Sequence, residues 1–141
     1  MASDHPQSLE QLCRQNHVSA LYVFGSMAQE AREWFDGRRV DLQGPSDVDV
    51  GVRVEPGPIW SVKDKVRLAL ALETLFSCSR VDLVVLQEAD PFLAVEIICG
   101  ERLYVRDEYE ADEYDLYILR RAGDLLPLER ERQALILGES T

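Results

Sequence analysis

Two aspartates stand one residue apart in the stretch Ser46-Asp47-Val48-Asp49-Val50-Gly51. Valine-rich segments read as strand, because β-branched side chains suit a pleated surface, and Asp is normally depleted there. Strand side chains alternate between faces. Val48, Val50, Val52 and Val54 therefore share one face, which can enter a core. Asp47, Asp49, Gly51 and Arg53 share the other, which presents two neighbouring carboxylates beside a glycine that leaves space. Like charges so placed repel unless a cation lies between them. A third carboxylate, Asp82, interrupts the apolar run Arg80–Leu86, and Gly25-Ser26 follows the apolar run Ala20–Phe24.

These parts suggest one chemistry. Hard carboxylate oxygens suit Mg²⁺, which keeps waters and binds one or two carboxylates together with substrate phosphates. Two such ions clamp an in-line displacement at phosphorus. A glycine turn entering a helix offers close backbone approach, free N–H groups and partial positive charge to a phosphate. Each part alone has a plainer reading. Gly-Ser before a helix is an ordinary turn and N-cap. Charged residues also protect strand edges, and a lone Asp is commonly salt-bridged. Three carboxylates on two strands beside a phosphate turn form a nucleotidyl-transfer constellation.

The elements that must position these residues are legible in outline. Residues through about Pro6 read as a loose terminus, and Ser8–Gln15 as a short helix. A strand covers Ala20–Phe24, and a helix runs from Ser26 to about Trp34. Phe35–Pro45 has loop composition, and the Asp-bearing strand spans about Asp47–Val54. Glu55–Pro58 is a turn. A helix over about Ser61–Ser77 sets Val62, Val66, Ala69, Leu72 and Phe76 at core-facing spacing. Arg80–Leu86 is the third strand, and Asp90-Pro91 opens a helix ending at Gly100. Arg102–Asp107 is a short edge strand. Glu108–Ala122 reads as a helix broken around Gly123, with a last helix from Pro127 to about Leu137. The predicted class is α/β, a small mixed β-sheet with flanking helices.

Composition narrows the function. The 141 residues suffice for one domain, and no internal repeat or linker divides them. A formal net charge of −11 excludes nucleic-acid binding through a generic basic surface and suits a basic partner. Cys13, Cys78 and Cys99 show neither metal-site spacing nor a disulfide framework; they read as buried reduced thiols of a cytoplasmic protein. No apolar run approaches a membrane span. His5 and His17 have no partner at motif spacing. Tyr109, Tyr114 and Tyr117 read as core or interface aromatics, with stacking on a base as the alternative.

The combination Tyr22-Val-Phe-Gly-Ser-Met-Ala-Gln-Glu-Ala31, Ser46-Asp-Val-Asp-Val-Gly-Val52 and Arg80-Val-Asp-Leu-Val-Val-Leu86 resembles the nucleotidyltransferase superfamily of the DNA polymerase β type. It is most similar to the minimal nucleotidyltransferases, the MNT antitoxins paired with HEPN toxins. The tail Arg102–Arg132, with Asp124-Leu-Leu-Pro-Leu128, is similar to that family's C-terminal helices. The resemblance implies a polymerase-β-like fold forming one minimal nucleotidyltransferase domain over 1–141, with C-terminal helices over about 108–137. It implies Mg²⁺ and ATP as cofactors. Gly25 and Ser26 would hold the nucleotide phosphates, and Asp47, Asp49 and Asp82 would be metal-binding and catalytic. The implied acceptor is a tyrosine of a cognate HEPN ribonuclease toxin, silenced by AMP transfer within a hetero-oligomer. Two alternatives stay open: an antitoxin of this fold that acts by binding alone, and transfer to a small molecule such as an aminoglycoside.

The sequence departs from the family pattern twice. Met27–Ser46 is longer than the usual span between Ser and the first Asp, so an insertion follows the first helix and must fold away if Ser26 and Asp47 are to share a site. Met27, Gln29 and Glu30 occupy positions that are often basic in the family. Arg38 and Arg39 in the insertion are then candidates to meet the triphosphate charge.

Overall fold

The computed structural model describes residues 4–138. It contains helix α1 (His5–Gln15), strand β1 (Val18–Phe24), a 3-10 turn (Gly25–Met27), α2 (Ala28–Phe35), β2 (Val48–Val54), α3 (Val62–Phe76), β3 (Val81–Val85), a second 3-10 turn (Leu86–Glu88), α4 (Pro91–Ile98), β4 (Glu101–Val105) and α5 (Glu108–Ile136). The sheet order is β3-β2-β1-β4. β1 runs antiparallel to β2 and β4, while β2 and β3 are parallel. The sheet is thus mixed, as expected, with β4 at an edge.

β1 is buried along its whole length, and its side chains alternate between two apolar layers. Leu21 and Val23 enter a core with Leu9 and Cys13 of α1, Ala31 and Trp34 of α2, and Leu68, Leu72 and Phe76 of α3. Ala20, Tyr22 and Phe24 face the other way, onto Ala94 and Ile97 of α4 and Ile118 of α5. Val48, Val50 and Val52 of β2 lie in the first core, fully buried, as the alternation predicts. Tyr22 ties the second layer: its hydroxyl donates to Asp115 of α5 at 2.6 Å, and Arg102 donates to the same carboxylate at 3.2 Å.

Four expectations are corrected. The N-terminal helix begins at His5, earlier than predicted, with a proline in its first turn, where the missing N–H costs nothing; residues 1–3 of the expected loose terminus lie outside the described residues. α3 keeps the C-terminal part of the expected stripe, with Leu72 and Phe76 buried and Ala69 packed on the core, but toward its start Leu68 is buried while Val62 and Val66 are 76% and 48% exposed. The tail is one helix through Gly123 and Pro127. Pro127 cannot donate to the carbonyl four residues back, which belongs to Gly123; that residue is exposed, so water can serve its carbonyl. Of the cysteines, only Cys13 is buried, with its thiol pushed up to about 12 by that burial; Cys78 is half-buried and Cys99 exposed, and all three are free. Among the described residues, no helix is long and apolar enough to cross a membrane.

Candidate active site

Strand register places the singled-out residues in one row. Phe24 lies opposite Asp49 across the β1–β2 pair, and Asp49 opposite Asp82 across the β2–β3 pair. The Gly25-Ser26 turn continues directly from Phe24, so turn, Asp49 and Asp82 stand side by side on three adjacent strands. Asp47 lies two residues before Asp49, just outside β2, on the same side of the chain. The side chains of Asp47 and Asp82 are about half-exposed. The row is therefore an open rim at one end of the sheet.

Gly25 has a reason to be glycine. Its φ is +76°, and a Cβ there would lie 2.6 Å from Oδ2 of Asp49. The turn and the carboxylate are packed to the limit that a missing side chain permits. Gly51 serves otherwise than expected. A Cβ on it would lie 2.3 Å from Cγ2 of Ile97, so its space is filled by α4 and is not left open beside the carboxylates.

Charge is concentrated at Asp49. Burial raises its proton affinity above the ordinary carboxylate value, and Asp82, Asp47 and Glu96 add to the rise. Glu96 belongs to α4 and was missed by the sequence reading. Its signal was available: it is the one charged residue within the apolar helix Pro91–Ile98. Arg80 was also missed. Its Nε lies 3.7 Å from Asp47 and its Nη2 3.2 Å from Asp82, so one guanidinium spans the two outer carboxylates. In an extended chain Arg80 shares a face with Asp82, two residues on, which the sequence could have disclosed.

The donor set fits Mg²⁺ in kind: several carboxylate oxygens with excess negative charge, beside a glycine turn that opens a helix. Among the described residues, no three His, Cys, Asp or Glu side chains are gathered so that together they could hold a metal ion. The row is open to solvent, and Arg80 bridges its two outer carboxylates. Open geometry is what a cation shared with substrate phosphates requires.

The insertion is anchored to the first core and to the end of α3, and it packs on the glycine turn: a Cβ on Gly44 would lie 3.1 Å from Cε of Met27. Leu42 is fully buried in the first core, and its N–H donates to the carbonyl of Phe76 at 2.8 Å. The Gln43 amide donates to the carbonyl of Ser77. Arg39 donates to the carbonyls of Asp41 and Gln43, at 2.7 and 2.6 Å, and Arg38 to Asp36. Arg39 is thus held within the loop by two backbone carbonyls, while Arg38 makes a single exposed pair with Asp36. Tyr114 lies under Arg53, whose guanidinium is 4.1 Å from the ring centre, and Tyr117 packs beside it. Arg53 follows Asp49 by four residues on the same strand face, so these aromatics stand at the opposite end of β2 from the row, where with Tyr109 they line a shallow hollow and Tyr117 is half-exposed. A hollow of about 500 Å³ also lies at that end, lined by Val54, Ile59, Trp60, Lys65 and Val85. Its two carboxylates, Glu55 and Glu88, are paired, Glu88 with Lys65 at 2.6 Å and Glu55 with Arg106 at 2.9 Å.

The strained charge of Asp49 has a measurable consequence. A carboxyl whose folded pKa is raised binds its proton more readily in the folded than in the unfolded protein. Its ionised form therefore costs stability above that pKa, and the cost disappears as pH falls through it. In chelator-containing buffer, Asp49→Asn is expected to melt higher than the parent at pH 7. The advantage is expected to vanish near pH 3, where both side chains are neutral. Thermal unfolding at the two pH values checks this; an equal or lower midpoint for the variant at pH 7 contradicts it.

Residues 7–109 match the family model described as polymerase beta, nucleotidyltransferase. Several solved structures are similar in fold. A chain of a toxin–antitoxin structure with AMP-PNP is 22% identical, with a TM-score of 0.65 over 93% of this chain and 94% of that one. A chain of the toxin–antitoxin MntA–HepT is 21% identical, with a TM-score of 0.63 over 94% and 93%. A third chain comes from tri-AMPylated Shewanella oneidensis HEPN toxin in complex with MNT antitoxin. It is 21% identical, with a TM-score of 0.63 over 94% of this chain and 92% of that one. At these identities the likeness is one of fold. No curated protein matches the chain.

Proposed function

Because the chain belongs to the polymerase-β nucleotidyltransferase family, we propose that it is a minimal nucleotidyltransferase antitoxin that transfers AMP from ATP to a tyrosine of a cognate HEPN toxin. The observation that carries the reading is the single row formed by Gly25-Ser26, Asp49 and Asp82 across three neighbouring strands, with Asp47 beside it. The toxin–antitoxin complexes among similar structures, one with AMP-PNP and one with an AMPylated toxin, support the partner and the nucleotide.

In this reading Gly25 and Ser26 receive the β- and γ-phosphates at the start of the turn, where backbone N–H groups are free. Asp47, Asp49 and Asp82 would hold Mg²⁺, which neutralises phosphate oxygens and lowers the barrier to attack at phosphorus. Asp82, exposed at the outer end of the row, orients the attacking phenol by accepting from its O–H. The phenolic oxygen forms a bond to the α-phosphorus. The bond from that phosphorus to the bridging oxygen breaks, and pyrophosphate leaves with the electron pair. The phenolic proton passes through Asp82 to solvent. Positioning and charge neutralisation account for most of the rate in such transfers.

The tail supplies a surface for the toxin. The last buried residue of α5 is Ala122, and beyond it Leu128, Leu135 and Ile136 are 63%, 73% and 67% exposed. A helical segment of that length is marginal in water without a packed face, and these leucines offer one. The free cysteines suit the reducing cytoplasm, where ATP is also available.

One experiment tests both parts. The HEPN protein encoded beside this chain is incubated with ATP, Mg²⁺ and either the whole protein or one ending at Gly123, and its mass is then measured. The whole protein is expected to add adenylate to a toxin tyrosine. The shortened protein, which keeps every buried residue, is expected to lose the complex and most of the transfer. A toxin silenced with no gain in mass means that the chain acts by binding alone.

A further inference from the structure

Arg80 stands where a cation is needed and where none was expected. It immediately precedes β3, and its side chain is 67% exposed. It reaches back over the row to contact Asp47 and Asp82 together. An arginine is always charged, and its planar fork can serve two carboxylates at once. The contacts are nevertheless weak ones. Exposed ion pairs are screened by water and hold two long side chains at little net gain. Arg80's ion pairs go to Asp47 and Asp82, and the inner carboxylate, Asp49, is not among its partners. The guanidinium therefore relieves the repulsion only in part, and it occupies oxygens that a divalent cation would use.

The rest of the site makes this arginine conspicuous. Met27, Gln29 and Glu30 after the glycine turn bring no positive charge. Arg39 is held in its own loop by two backbone carbonyls, and Arg38 pairs with Asp36 and not with any carboxylate of the row. A triphosphate arriving at Gly25-Ser26 carries several negative charges next to a cluster that is itself negative. Arg80 is long, exposed and tethered at the edge of that cluster, and when released it can reach an anion lying above the row.

We propose that Arg80 is a removable counter-ion of the site, which bridges Asp47 and Asp82, yields their oxygens to a divalent cation, and then turns its charge to the phosphates of the nucleoside triphosphate. It is a positioning residue by this account, distinct from the carboxylates that act on the reacting atoms. The inference rests on the reading of the row as a metal and nucleotide site.

The account requires two binding constants to move in opposite directions. Full-length Arg80→Ala is titrated with Mn²⁺ alone, and then with AMP-PNP at saturating Mn²⁺, both by calorimetry. Mn²⁺ is expected to bind about three- to tenfold tighter than to the parent, because its competitor is gone, and AMP-PNP about three- to tenfold weaker, magnitudes set by exposed ion pairs. Arg80→Lys, which keeps the charge but loses the fork, is expected between the two proteins in both titrations. A residue that merely supported the fold would weaken both constants together, and that outcome, or an unchanged Mn²⁺ affinity, overturns the proposal. Asp49→Asn separates this failure from failure of the site itself. If it binds Mn²⁺ as tightly as the parent, the row is not the metal site, and the role of Arg80 falls with it.

Discussion

Asp82→Asn is expected to bind AMP-PNP with most of the parent's affinity and yet transfer adenylate roughly a hundred- to a thousandfold more slowly, the scale of losing one preorganised charge from such a site. The separation follows from position. Asp49 is packed against the glycine turn, 2.6 Å from the position of the absent Gly25 Cβ, and so belongs to the phosphate end of the row. Asp82 is one strand further out, opposite Asp49 in the parallel pair. A nucleotide held by the turn, Asp47 and Asp49 keeps those contacts in the variant. An acceptor approaching from the outer side loses its anionic partner. Asn retains the shape and one acceptor oxygen but has no charge with which to draw the phenolic proton. Asp47→Asn is expected to weaken binding and transfer together. Single-turnover mass measurement on the toxin and calorimetry with AMP-PNP give the two numbers. Equal losses in both for Asp82→Asn would place that residue with the nucleotide instead of the acceptor.

The strand faces and the candidate residues on them were legible because alternation is a short-range rule. Alternation in Val48–Val54 fixed which residues enter the core, and the structure buries Val48, Val50 and Val52 completely. The row of Gly25, Asp49 and Asp82 required knowing only which strands are neighbours, and that came from the resemblance, since no local pattern specifies pairing order. What escaped depends on packing between distant elements. The twist of α3 against the sheet decides whether Val66 or Leu68 faces inward, and both fit a helical period. Glycine and proline at 123 and 127 look like helix breakers, yet an exposed helix can leave one carbonyl to water and continue. Glu96 lies outside every motif and joins the site through tertiary placement, whereas Arg80 opens the third motif and was passed over because its pairing with Asp47 crosses between strands. The role of Gly51 was misread for the same reason: the space beside Asp49 is visible in the sequence, but its occupant, Ile97, is not.

Gly25→Ala tests how tightly fold and site are coupled. An alanine there must hold a φ of +76°, which costs about 1–2 kcal/mol for a residue with a Cβ. It must also push away the Asp49 carboxylate, since 2.6 Å is far inside van der Waals contact. The carboxylate is the mobile end of a side chain, so it gives way and the β1–β2 pairing persists. The expected protein is folded, less stable, and poor in both nucleotide binding and transfer, because the oxygen that faces the phosphate turn has moved. Ser26→Ala, which leaves every backbone N–H in place, is expected to lose much less. The clash can be isolated from the backbone strain. In an Asp49→Ala background the carboxylate is absent, so Gly25→Ala there costs only the strain, and the two substitutions fall short of additivity in thermal or chemical unfolding. Full additivity would mean that the glycine is required by the turn alone, and that the contact with Asp49 has no part in shaping the site.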